Sequence, residues 1–183
     1  MYFENVFNDY IVVGCETHFF FIDMEKDLEA LIEEYFRDSD YGIIELVLRG
    51  DGRTKVAEIF VDNENGVNID ELAKINRDLN ELVDNNLVIK DISKLVVSSP
   101  GAERPFKFLW QLKKHIGRIL EIELNDGEKL EGKLTEIKND STERDYITVD
   151  IIKKEKGKQI VTEMRIINFK EIKESKVKLS FSK

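Results

Sequence analysis

Val96-Val97-Ser98-Ser99-Pro100-Gly101-Ala102-Glu103-Arg104-Pro105-Phe106 decides how this chain is divided. Both prolines of the protein lie in it, five residues apart, with Gly101 and Arg104 between them. Proline fixes φ and lacks a backbone donor, so the stretch is neither a helix interior nor a central strand. A β-branched run precedes it, and a different kind of sequence follows. It reads as a stiff junction over 100–106. An α/β domain over 23–99 lies before it and a second domain over 107–183 after it. Residues 1–22 form an N-terminal extension whose short apolar runs, Tyr10–Val13 and Phe19–Ile22, suit either strands or a packed arm.

Charge separates the same two parts. Residues 1–106 carry 10 Lys and Arg against 23 Asp and Glu, a net of −13, whereas residues 107–183 carry 18 against 14, a net of +4. The acidic part repels nucleic acid and attracts basic proteins, and the mildly basic part suits phosphate. Two solvated surfaces with no partner would look the same. The single Cys15 excludes an internal disulfide, so a reducing, cytoplasmic setting is the default. No basic start with an apolar core opens the chain, so a secretory signal is not expected. No apolar run approaches the ~20 residues of a membrane span.

From Asp23 the pattern is helical: Leu28, Leu31, Ile32, Tyr35 and Phe36 share one face. Ile43–Leu48 and Lys55–Asp62 read as strands around the turn Gly50-Asp51-Gly52. Asn68 is placed to cap a second helix with Glu71 as its reciprocal partner, and Leu72, Ile75, Leu79, Leu82 and Val83 form its stripe. Ile92 and Leu95–Ser98 supply a third strand. Two helices covering one face of a small mixed sheet would bury all five elements.

The second part opens with a short helix over Phe106–His115, ended by Gly117, and continues in five short strand signals. These are Ile119–Leu124, Lys129–Lys138, Tyr146–Ile152, Gln159–Arg165 and a last strand within Phe169–Leu179. Asp126-Gly127 is a hairpin signal, Asn139–Asp145 reads as a polar loop, and Lys153–Lys158 reads as a basic hairpin tip around Gly157. Gly132, inside an alternating run, is best explained as a bend of the kind small barrels need. Five strands at this spacing argue for a small closed or nearly closed barrel. The fold class is therefore α+β, an αββαβ domain followed by a small β-barrel.

The short helix and bent strands resemble the Sm fold. Ile122–Gly127 followed by Leu130-Glu131-Gly132-Lys133-Leu134 is similar to the first half of the Sm motif. The Arg-Gly pair of RNA-binding Sm proteins is absent, which speaks against a uridine-binding ring. The order of parts resembles the ribosome maturation factor family RimP. The likeness is carried by Val97–Phe106, by Val61-Asp62 with Gly66–Leu72 and Ile75–Leu79, and by His115-Ile116-Gly117-Arg118, and it spans roughly 27–180. The resemblance implies a cytoplasmic, non-catalytic assembly factor that binds the immature small (30S) ribosomal subunit and promotes its maturation. Its partners would be a basic small-subunit protein and 16S rRNA. The alternatives are an Sm-like RNA chaperone working as a ring and an adaptor unconnected with ribosomes; a monomer is expected.

Candidate contact residues are few. Arg104, held between two prolines, has little entropy to lose on meeting phosphate or carboxylate, but it equally suits a pair with an acid of its own chain that locks the domains. Lys153, Lys154, Lys156 and Lys158 suit phosphates, or are only a solvated tip. Ser98, Ser99, Pro100, Gly101, Arg104 and Pro105 form the junction, and its serines have no histidine locally paired with them to make a nucleophile. His18 and His115 are far apart in sequence, and no Cys or His spacing suggests a metal. No cofactor motif or Gly-rich phosphate loop occurs, so enzymatic activity is not expected.

Overall fold

The structure is a computed structural model that describes residues 24–50, 55–86, 89, 92–102, 104–140, 144–155 and 158–179. The readings on residues 1–22, on Asp51-Gly52, and on Lys156 and Gly157 at the hairpin tip lie outside the described residues.

The first half is built on a three-stranded sheet. Strands β1 (Gly42–Arg49) and β2 (Lys55–Asp62) pair antiparallel, and β3 (Ile92–Ser98) joins β2 in parallel. A parallel neighbour needs a crossover, which helix α2 (Ile69–Asp84) supplies. Its start is fixed by a reciprocal cap: Asn68 Oδ1 accepts from the Glu71 N–H at 2.9 Å, and Glu71 Oε2 accepts from the Asn68 N–H at 2.9 Å. Helix α1 (Met24–Phe36) carries Glu25 and Asp27 in its first turn, where the helix dipole favours anions.

The core follows from two periodicities. Ala57, Ile59 and Val61 alternate along β2 toward one face, where they meet Leu28, Ile32 and Phe36 of α1 and Ile75, Leu79 and Val83 of α2. Both helices therefore cover the same face of the sheet. Tyr35 donates to Asp78 Oδ2 at 2.8 Å and ties the helices together. Burial, then that hydrogen bond to a carboxylate, pushes the phenol up to about 12.

The second half is a five-stranded antiparallel sheet: β4 (Ile119–Leu124), β5 (Lys129–Asp140), β6 (Arg144–Glu155), β7 (Lys158–Asn168) and β8 (Ile172–Val177). Its order is β7-β6-β5-β4-β8. Leu120, Ile122, Leu134, Ile147, Val149, Ile151 and Ile167 make a second core, closed by Leu109 and Leu112 of a 3₁₀ segment over Leu109–His115. Gly132 sits where β5 passes from β4 to β6, pairing with both Leu120 and Ile151. A Cβ there would lie 3.1 Å from the Asp150 carbonyl oxygen, tighter than an ordinary contact, so glycine eases the close approach of β6. Among the described residues no ladder joins β7 to β8, and the sheet stays open at that seam.

Two readings of this half are corrected. The polar loop over Asn139–Asp145 is shorter, because Asn139 pairs with Asp145 and Asp140 with Arg144 across the β5–β6 ladder. The basic tip is narrower, because the β6–β7 ladder continues to Glu155 and Lys158. Cross-strand hydrogen bonds extend pairing past the apolar residues that mark a strand in sequence.

Edges are treated unequally. On β3, Asn76 Oδ1 accepts from the Val97 N–H at 3.0 Å and Asn80 Nδ2 donates to the Leu95 carbonyl at 3.1 Å. On β8, the Ser175 carbonyl accepts from the Phe106 N–H at 2.9 Å. Side chains and junction backbone thus occupy groups that a foreign strand would otherwise meet.

Candidate functional site: the interdomain junction

The junction begins where β3 ends. Ser98 is the last residue of β3, opposite Phe60 of β2. Ser99 is exposed, Pro100 is half-buried and Gly101 turns the chain with φ +68°, a left-handed conformation that favours glycine. Pro105 is exposed, and Phe106 then enters the second half beside β8.

Gln111 holds the exit from the junction. Its Oε1 accepts from the N–H groups of Lys107 and Phe108 at 2.9 and 3.0 Å, and the residue is 1% exposed. A buried amide oxygen shared by two backbone donors fixes the start of the 3₁₀ segment. Sequence reasoning passed over Gln111; its place three residues after Phe108, on a short helix's first turn, was the available signal.

Arg104 faces inward. Its Nη1 donates to Glu45 Oε2 at 2.7 Å, and its guanidinium carbon stands 3.6 Å from the centre of the Phe60 ring. Of the two roles open to Arg104 in sequence, the fold uses the one within its own chain. Lys107 Nζ meets the other oxygen of Glu45 at 3.2 Å, so one carboxylate receives two cations.

The contact continues along the 3₁₀ segment. Lys113 Nζ lies 2.5 Å from Glu64 Oε1, and Lys114 Nζ donates to Asp62 Oδ1 and to the Asn63 carbonyl. The side chain of Asp62 is only 3% exposed, and Lys114 is the cation paired with it. Trp110 lies against Gly42, where an added Cβ would come within 2.6 Å of the indole, and it stacks on Phe108 at 5.9 Å. Gly42, Glu45, Phe60 and Asp62 belong to β1 and β2, and Glu64 follows β2. Phe60 and Asp62 alternate with the residues of β2 that enter the helix-side core, so they occupy the opposite face of the sheet.

The remaining candidates lie elsewhere. Lys153 is exposed on β6, at the far end of the β6–β7 ladder. Lys154 and Lys158 are placed as paired strand residues, their side chains being outside the described residues, as is Lys156 entirely. Ser98, Ser99, Pro100, Gly101, Arg104 and Pro105 do form the connection between the sheets. The exposed carboxylates Glu25, Asp27, Glu33, Asp38, Asp40, Asp70, Glu81 and Asp84 lie on or beside the two helices. Residues 31–103 match the family model of the RimP N-terminal domain. Over those residues the chain is similar to the N-terminal domain of the RimP family.

Proposed function

We propose that this protein binds the immature small (30S) ribosomal subunit in the cytoplasm and promotes its maturation without chemistry of its own. The observation that carries the reading is the RimP N-terminal domain over residues 31–103. Binding that favours a correctly docked assembly state shifts the population toward it, and no bond need change. The exposed carboxylates of α1 and α2 steer a basic ribosomal protein, and exposed lysines of the second half, such as Lys133 and Lys153, lie near 16S rRNA.

The second half is read as an Sm-like barrel. The order β7-β6-β5-β4-β8 supports this, since the last strand returns to pair beside the first. A ring-forming RNA chaperone needs both outer strands free for head-to-tail pairing. Here Phe106 occupies the Ser175 carbonyl on β8, which favours a monomer.

Co-sedimentation with small subunits from assembling and mature pools tests the proposal. Retention on immature particles and release from mature ones is expected, and equal binding to both overturns it. Charge reversal at Lys153, Lys154, Lys156 and Lys158 is expected to weaken that binding and flatten its salt dependence. An unchanged salt slope removes the β6–β7 end from the contact surface.

A further inference from the structure

Every ion pair across the junction runs the same way among the described residues. The first half supplies the carboxylates Glu45, Asp62 and Glu64, and the junction and second half supply the cations Arg104, Lys107, Lys113 and Lys114. A contact of one sign on each side is open to competition by any cation that reaches the carboxylates. Two of the three are reachable: the side chains of Glu45 and Glu64 are 30% and 53% exposed, whereas Asp62 is enclosed.

We infer that this contact is an ionic latch. Closed, it makes the two halves one rigid body with Trp110 seated on Gly42. A lysine- and arginine-rich segment of a partner protein opens it by taking Glu45 and Glu64 from Arg104, Lys107 and Lys113. Such a segment binds the open state better than the closed one, because only the open state offers those carboxylates unpaired; that difference is what lets it shift the equilibrium. Opening also uncovers the face of the first sheet that carries Phe60 and Asp62. The identity of the opener rests on the proposed association with a basic ribosomal protein, whereas the latch itself does not.

The halves differ in the elements that hold them, so their tumbling is separable. Backbone ¹⁵N relaxation of the full chain is expected to give one correlation time for both halves in dilute buffer, and two shorter ones in molar salt. Glu64→Lys and Lys113→Glu each place like charges together and are expected to separate the halves at low salt. The double variant restores the pair with its signs exchanged and is expected to restore the single correlation time. Both sites are about half exposed, so neither change threatens folding. A deca-arginine peptide is expected to separate the halves of the wild-type chain at low salt, and an uncharged decapeptide to leave them joined.

Independent tumbling of the wild type in dilute buffer overturns the proposal, as does a single correlation time that survives molar salt, or a double variant that stays open. A latch that opens in salt and ignores deca-arginine overturns the role of a basic partner. None of these outcomes depends on whether the protein binds small subunits.

Discussion

The two cores and the contact between them are held by different forces. Inside each half, side chains such as Leu28, Ile59 and Leu79, or Leu120, Leu134 and Ile147, are fully buried among their own kind. Between the halves, apart from Trp110 on Gly42, the contacts among the described residues are carboxylates paired with cations, one lysine–carbonyl hydrogen bond and one cation–aromatic pair. Apolar burial is not weakened by ionic screening, whereas ion pairs at partly exposed positions are weak and screened. The molecule therefore has two robust units joined by an adjustable contact.

The sharpest way to break the comparison is inside a core. Leu120→Ala in β4 leaves a cavity in a fully buried site and is expected to cost about 2–5 kcal/mol of stability. Because the two clusters share no residues, the loss falls on the second half. Hydrogen exchange should show lowered protection in β4–β8 and unchanged protection in α2. A uniform loss across both halves would mean that the cores unfold as one unit.

Gly42→Ala attacks the contact instead. The new methyl would stand 2.6 Å from the Trp110 ring, so the indole must move off the sheet. Overpacking of this kind costs about 1–3 kcal/mol, here charged to the interdomain contact rather than to a core. Trp110 is the only tryptophan, so its emission reports the contact directly and is expected to shift to the red. Unchanged emission would show that the indole is not held there in solution.

A smaller effect is expected at the α2 cap. Asn68→Ala removes one side of a reciprocal pair and is expected to cost about 1 kcal/mol. The helix start frays, and exchange of the Glu71 amide should speed up while the junction stays closed. Loss of the interdomain contact in this variant would show that the cap and the latch are coupled.

How much of this was legible in the sequence follows the same division. The cores were, because burial writes itself as periodicity: the stripe Ile75, Leu79 and Val83 and the alternation Ala57, Ile59, Val61 need no knowledge of the partner surface. The cap at Asn68 was legible because both of its partners are local. The junction's position was marked by two prolines. Its contents were not, because Glu45 lies 59 residues from Arg104 and Asp62 lies 52 residues from Lys114. In a chain with 37 acidic residues, nothing local distinguishes Glu45, Asp62 and Glu64 from the solvated ones. Strand ends were misjudged for a related reason: Asp140 and Glu155 continue ladders through backbone hydrogen bonds that side-chain polarity conceals.

The smallest expected effect is a pH dependence at the seam between the second core and the junction. His115 packs against Phe106, ring centres 5.0 Å apart. Burial first, then the nearby charges of Lys114 and Arg118, hold its pKa below the usual 6.5, with Asp62 opposing them. Well above pH 6.5 the imidazole is neutral in both the folded and the unfolded chain, and it contributes no pH dependence. As the pH falls, the unfolded chain takes the proton first, so the folded state loses stability until its own lowered pKa is passed. Urea midpoints are therefore expected to fall between about pH 7 and pH 5.5, the range where histidine titrates before ordinary carboxylates do. His115→Gln keeps a polar side chain of similar reach and removes the proton site, so its midpoints should be flatter over that range. Equal slopes for both proteins would show that the acid sensitivity does not come from this histidine.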